Sequence, residues 1–292
     1  MNRPLAALCL TALLTACRVS EAPDNAAANA ATNAAAPAAA ELSLTRLDCG
    51  NIRIKNFDKF FSDKPGLYES APRDIVGSCY LVRHGDQVLL WDTGISGDLK
   101  GKTFDAGDMV LSLKRTLVEQ LADLKLTPAD VDIVAISHDH ADHTGQAASF
   151  PNARLLIGAA DYDVTAKPSE QGGPSPITPW LKAGANVTKL TGDLDVFGDG
   201  SVVALHLPGH TPDHMALLVN LKSGPVLLSG DLYHSLEARA KRGVPPFNTS
   251  REQTLASMDA FEAKARETGA RVVIQHEPRD IAKLPAFPDA AK

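Results

Sequence analysis

Apolar positions recur in short bursts along most of the chain, and several bursts stop at a polar residue. Leu42–Ile54 reads as a strand. Ser78–Trp91 reads as a hairpin, with Tyr80, Leu81 and Val82, a turn at His84-Gly85-Asp86, then Val88, Leu89 and Leu90 leading into Asp92-Thr93-Gly94. A strand that ends in this way sets a carboxylate at a sheet edge. From Leu111 to Leu124 the period changes, since Leu113, Leu117, Leu121 and Leu124 recur at the spacing of one helical face. A helix is predicted there, with Thr127-Pro128 closing the connection to a buried strand at Val131–Ile136.

The second half repeats this rhythm. Arg154–Ile157, Ser201–Leu207, Met215–Asn220, Val226–Ser229 and Arg271–Gln275 are predicted strands. Gln253–Glu267 is a predicted helix with Leu255, Met258, Phe261 and Ala265 on one face, and the Pro/Gly-rich stretch Lys167–Pro179 is a long loop. Strands and helices that mix without strict alternation predict an α/β (α+β) fold of two sheets with helices outside. No repeat and no clear linker follows residue 41, so 41–292 is read as one domain.

The first forty residues follow other rules. Arg3 precedes an apolar run from Leu5 to Leu14 that is too short to span a bilayer, so residues 1–17 read as a secretory signal. Its end, Leu14-Thr15-Ala16-Cys17, resembles the bacterial lipobox, which implies lipid on Cys17, attachment to a membrane and a place at the cell envelope or in the periplasm. Residues 18–40 are nearly all Ala, Asn, Pro and Thr and read as a flexible tether. In such an oxidising compartment Cys49 and Cys79 either pair across adjacent strands or lie as two buried thiols. Composition adds one exclusion: the formal net charge of -6, with Lys and Arg scattered, offers no surface for nucleic acid.

Candidate chemistry is concentrated where the strand Val131–Ile136 runs into Ser137-His138-Asp139-His140-Ala141-Asp142-His143. Three of the chain's nine histidines fall within those few positions. Imidazole is the commonest metal ligand, and a His-x-His pair can turn two rings toward one point while the following Asp-His pair addresses another. His210, Asp231 and His276 each follow an apolar strand as well. Together with the cluster they supply enough donors for two metal ions.

In this order, H-D-H-A-D-H, P-G-H-T-P, S-G-D and Q-H resemble the metallo-β-lactamase superfamily, over essentially everything from residue 42 onward. The order and spacing are most similar to N-acyl-homoserine lactone lactonases and methyl-parathion-type hydrolases. The resemblance implies a four-layer αββα sandwich with metals at one edge of the sheets. It further implies one metal on His138, His140 and His210, a second on Asp142, His143 and His276, and Asp231 between them. Zinc is the metal that family analogy favours, although donors without cysteine also suit iron, manganese or cobalt. The expected chemistry is attack on an ester-like carbonyl by a hydroxide held between two divalent ions. Asp142 is a candidate proton relay, and Tyr233 a candidate donor to substrate or leaving group, with His234 competing for that place. His214 and Asp92 are candidates for orienting the ligands.

These features favour a small-molecule lactone as substrate, with aryl ester or organophosphate hydrolysis as the alternative. A periplasmic β-lactamase fits export and zinc but not Asp231, because those enzymes normally lack an aspartate in the bridging position. A glyoxalase-type thioesterase would need a helical domain after His276. Flavo-di-iron oxidases normally carry Glu where His140 stands. An envelope-anchored metal-binding module is the reading outside enzymology, against which the intact ligand set argues. Phe60, Phe61, Tyr68 and Trp180 either line an apolar pocket or cap the core.

Overall fold

Alternation along the strands decides the architecture, because successive side chains leave a strand on opposite faces. The computed structural model describes residues 41–168 and 173–292. The signal segment, the lipobox at Cys17 and the 18–40 tether lie outside the described residues, as does the middle of the Lys167–Pro179 loop.

Eight strands form the first sheet: β1 (Leu42–Ile54), β2 (Arg73–His84), β3 (Gln87–Trp91), β4 (Thr103–Asp105), β5 (Met109–Ser112), β6 (Ile133–Ala135), β7 (Arg154–Gly158) and β8 (Val187–Leu190). Their spatial order is β4-β5-β1-β2-β3-β6-β7-β8. Five more form the second sheet: β9 (Leu194–Asp195), β10 (Val202–His206), β11 (Met215–Val219), β12 (Val226–Leu228) and β13 (Arg271–Val273), in the order β13-β12-β11-β10-β9.

One set of alternating residues joins the sheets. Tyr80, Val82, Leu89, Trp91, Ile133, Ala135 and Leu156 of the first sheet pack with Ala204, Met215, Leu217, Val219, Leu228 and Val273 of the second. The intervening residues face outward. Leu81, Leu90, Val134 and Leu155 are covered by Leu117 and Leu121, and by Phe150 and Trp180. Leu205, Ala216, Leu218, Leu227 and Val272 are covered by Met258, Phe261 and Ala265. The result is the αββα sandwich, in which both faces of each sheet are buried.

Among the described residues there are seven α-helices: α1 (Phe57–Phe61), α2 (Leu117–Asp123), α3 (Ala141–Thr144), α4 (Ala159–Thr165), α5 (Leu236–Lys241), α6 (Arg251–Thr268) and α7 (Pro278–Ile281). The predicted helix from Leu111 is shorter than its leucine spacing suggested. Leu111 pairs with Ile52 of β1 as part of β5, and the helix starts only after Thr116. There a capping box decides the boundary: the Thr116 hydroxyl accepts from the Glu119 amide, and the Glu119 carboxylate accepts from the Thr116 amide. Helix α6 matches its predicted apolar face, capped by Ser250 at one end and by Gly269 in the left-handed region at the other.

Cys49 on β1 and Cys79 on β2 form a disulfide, with Cα atoms 5.7 Å apart. It lies directly under the turn that follows β3. A Cβ at Gly94, whose φ is +66°, would sit 2.6 Å from the Cys49 Cβ, so only glycine lets the turn pack this closely.

Candidate metal centre

The polar residues of interest follow the ends of β3, β6, β10, β12 and β13. Strands β3 and β6 run parallel, as do β12 and β13, so Asp92 and Ser137, and likewise Asp231 and His276, emerge at matching ends of neighbouring strands. Helix α3 then turns Asp142 and His143 back toward the same place. Gly209, with φ +131°, brings the His210 loop so near the start of α6 that a Cβ would lie 2.2 Å from the Thr254 nitrogen.

Two groups of donors result. His138, His140, His210 and Asp231 form one, Asp142, His143 and His276 the other, and within each the potential ligand atoms lie no more than 4.8 Å apart. In the first group, His138 Nε2 is 3.0 Å from His140 Nδ1 and 3.3 Å from His210 Nε2, and the last two are 3.1 Å apart. In the second, His143 Nε2 and His276 Nε2 are 3.3 Å apart. Asp231 lies between them. Its Oδ2 is 3.6 Å from both His138 Nε2 and His210 Nε2, while its Oδ1 is 3.2 Å from His143 Nε2 and 3.0 Å from His276 Nε2.

Four of the imidazoles have their outer nitrogen tied down. His138 Nδ1 is 2.9 Å from Ser137 Oγ, His143 Nδ1 is 2.9 Å from Asp92 Oδ2, His210 Nδ1 is 2.9 Å from Asn248 Oδ1, and His276 Nδ1 is 2.8 Å from the Val76 carbonyl. A proton on each Nδ1 satisfies these acceptors and leaves an Nε2 lone pair pointing inward. Converging lone pairs repel one another unless a cation lies between them. Asp231 Oδ1 is buried and accepts no hydrogen bond, which is costly without a charged partner. The donor set therefore fits divalent cations.

The electrostatics favour that fit at the first group. Burial, then the charge of His143, hold His138 well below the usual histidine range, and burial with His140 does the same for His210. Burial opposes ionisation of Asp231, yet His276 and His143 hold its carboxyl well below the usual range. Neutral His138 and His210 beside an ionised Asp231 are the protonation states that metal ligation requires, whereas His143 and His276, which Asp231 raises above the usual histidine range against the effect of burial, would each release a proton on ligation.

The profile of the metallo-beta-lactamase superfamily matches residues 72–276. The chain belongs to that superfamily. Among its relatives, the N-acyl homoserine lactonase AttM of Azorhizobium caulinodans is 35% identical over 261 residues, covering 82% of this chain and 94% of the relative. An N-acyl homoserine lactonase of a Bacillus species is 29% identical over 220 residues, covering 72% and 85%. A crystal structure of an N-acyl homoserine lactone hydrolase with N-hexanoyl-L-homoserine at its catalytic metal centre shares the fold with a TM-score of 0.72 at 21% identity, covering 86% of this chain and 99% of that one. The dizinc quorum-quenching lactonase AidC follows with a TM-score of 0.64 at 19% identity, covering 86% and 90%.

Within this superfamily frame, the residues behind the donors are as ordered as the donors. Asp92, buried and with φ +59°, accepts from the Ser137 amide at 2.7 Å, from the Ser137 hydroxyl at 2.9 Å and from Gln275 Nε2 at 2.9 Å. A non-glycine residue in that region is strained, and here the strain aims a carboxylate at His143. Gln275 Oε1 accepts in turn from Trp91 Nε1 and the Gly230 amide. His214 donates from Nδ1 to the Leu207 carbonyl and accepts at Nε2 from the Asp231 amide, consistent with burial pushing it down to about 4. Asp92 and His214 were legible as orienting groups; Ser137, Asn248 and Gln275 were not. Gln275 directly precedes His276, and that adjacency was the one available signal.

Tyr233 requires a correction. Its backbone is extended, so residues 233 and 234 point to opposite sides. The phenol packs on Phe261 and donates to Glu262 at 3.2 Å, away from the donors. His234 faces them instead, with Nε2 3.2 Å from Asp231 Oδ2 and its ring stacked parallel to that of His276. Asp142, whose side chain is 25% exposed, is the most accessible member of the second group. His84 pairs with Asp199 and His206 with Asp213, both remote from the donors in role.

The aromatic residues divide. Trp180 donates to the Ala153 carbonyl within the core, and Tyr68 packs on Phe57. Phe61 lies 4.3 Å from the His234 ring, centroid to centroid. Phe60 meets Phe247, a residue that the sequence pattern did not single out.

Proposed function

We propose that this protein is a dinuclear metal-dependent lactonase that opens lactones such as N-acyl homoserine lactones. Asp231 carries the reading, because one carboxylate oxygen faces each histidine group. His138, His140 and His210 would hold one ion, Asp142, His143 and His276 the other, and Asp231 both. Zinc suits this histidine and carboxylate set. Two such ions supply an activated water as nucleophile and polarise the ester carbonyl.

The chain's own residues supply the rest. Asp92, Ser137, Asn248 and the Val76 carbonyl fix the imidazole tautomers, so that lone pairs rather than protons face inward. Asp142 reaches solvent from the edge of the centre, where a carboxylate can take a proton from the attacking group and return it to the leaving alcohol. The lactonase relatives support ester hydrolysis, and the shared aspartate between two groups weighs against a β-lactamase.

Export belongs to the same reading. A signal ending at Cys17, lipid on that cysteine and a tether through residue 40 would hold the hydrolase at the cell envelope. The Cys49–Cys79 disulfide supports an oxidising compartment. Among the described residues no helix is long and apolar enough to cross a membrane.

The test is turnover by zinc-loaded protein offered N-acyl homoserine lactones, aryl esters, phosphotriesters and β-lactams. Lactone opening that exceeds the other activities is expected. A preference for β-lactams, or no hydrolysis, would overturn the proposal.

A further inference from the structure

Glu277, directly after His276, keeps only 5% of its surface in solvent. A carboxylate is rarely buried to that degree unless it is paired, and this one uses each oxygen twice. Oε1 accepts from the Arg279 amide at 3.1 Å and from Arg279 Nε at 2.7 Å, while Oε2 accepts from Arg279 Nη2 at 2.7 Å and from the Leu236 amide at 3.2 Å. The bond from the Arg279 amide caps α7. The bond from Leu236 has another purpose, because a helix cap needs no partner 41 residues away.

Leu236 stands two residues beyond His234, whose ring stacks at 4° on that of His276 with centroids 5.6 Å apart. One side chain thus grips the two stretches of chain that carry these rings. The grip extends to a third stretch. Arg279 Nη2 also donates to both Glu237 oxygens at 3.1 Å, and Glu237 Oε2 accepts from Arg73 Nη1 at 3.2 Å. Arg73, which lies 3.9 Å over the Phe57 ring, opens β2 just ahead of Val76. Val76 holds His276 twice: its carbonyl accepts from His276 Nδ1 at 2.8 Å, and its amide donates to the His276 carbonyl at 3.3 Å. The segments that flank His276, at Val76 and at His234, are therefore joined to its own turn through Glu277 and Arg279.

The first group is held differently. His138 and His210 lean on Ser137 and Asn248, which are uncharged.

We propose that Glu277 is a positioning residue for the ion that His276 would hold. Its bonds to Arg279 and Leu236 fix the His276 backbone against the His234 segment and keep Nε2 aimed at Asp231 Oδ1, 3.0 Å away. A ligand ring that is free to turn loses the alignment its lone pair needs, so support from outside the ligand set decides how tightly the ion is held. The inference rests on the two-ion reading above and adds to it the residue that braces the second group.

The experiment titrates metal-free full-length protein with zinc against a chromophoric chelator. His276→Ala and Asn248→Ala first assign the two binding steps to the second and the first group. Glu277→Gln is then expected to weaken the His276 step about tenfold and the other step by less than about twofold. Should this buried substitution prevent folding, Arg279→Ala, at a side chain 58% exposed, decides the question, with a selective loss of about threefold or more expected at the same step. Equal weakening of both steps would overturn the assignment, because Glu277 would then serve the fold as a whole, and so would unchanged affinities. Wild type that takes up fewer than two zinc ions would instead remove the two-ion reading itself, and this inference with it.

Discussion

His143 and Asp92 meet through a 2.9 Å contact between Nδ1 and Oδ2, both side chains being buried. Burial alone would lower the affinity of His143 for a proton, but Asp231, Asp92 and Asp142 outweigh it and raise that affinity well above the usual histidine range. In the metal-loaded protein the same carboxylate fixes the Nδ1 proton and makes Nε2 a better donor. Asp92→Asn, which keeps the shape but not the charge, should weaken binding of the ion that His143 would hold about 10- to 100-fold. A competition titration with a chromophoric chelator measures this; unchanged affinity would show that Asp92 serves the fold alone.

Tyr233 and His234 separate two readings of one stretch of chain. Tyr233→Phe removes a hydrogen bond to Glu262 and should cost about 1 kcal/mol of stability, with kcat/KM within about twofold of wild type. Denaturant unfolding and lactone kinetics on one preparation test both halves. A loss of kcat beyond about tenfold would return Tyr233 to the site.

The disulfide should matter to stability more than to chemistry. It closes a separation of 30 residues, for which loss of unfolded-state entropy corresponds to about 3–4 kcal/mol. It also supports the turn that carries Asp92, through the close packing of Gly94 on Cys49. Thermal unfolding with and without reductant should show a clear drop in Tm on reduction; identical midpoints would contradict this.

Asp161 offers a test by pH. Burial pushes its carboxyl up to about 7; the hydrogen bond from Thr211 opposes this, and the facing Asp139 and Asp213 add to it. Between the ordinary carboxylate range and about pH 7 the folded chain then holds a proton that the unfolded chain has released. Stability contributed at low pH is lost as pH rises through that window. Asp161→Asn carries no charge to bury, so its Tm relative to wild type should improve from pH 5 to pH 8. A constant difference across that range would contradict the assignment.

Much of this was legible from residue patterns, and the failures have physical causes. Strands such as β1, β7 and β11 show their apolar runs directly, and the donors stand out because each closes such a run. Leucine spacing misplaced the start of α2, since Leu111 obeys its partner Ile52 in β1 and the Thr116 cap overrides the periodic pattern. Residue type near Asp231 points to Tyr233. Only the extended backbone reveals that residue 234, not 233, faces the donors. Ser137, Asn248 and Gln275 are common polar residues whose role depends on partners far along the chain, as with Gln275 and Asp92, 183 residues apart. Phe247 sits in a loop without periodicity, so nothing local marks it.

The central claim is two metal ions sharing Asp231. Anomalous scattering from a crystal of the zinc-loaded protein tests it most directly. Two peaks about 3.5–4 Å apart are expected, one among His138, His140 and His210, the other among Asp142, His143 and His276, with Asp231 touching both. A single peak, or two peaks that leave Asp231 without a metal contact, would contradict the account.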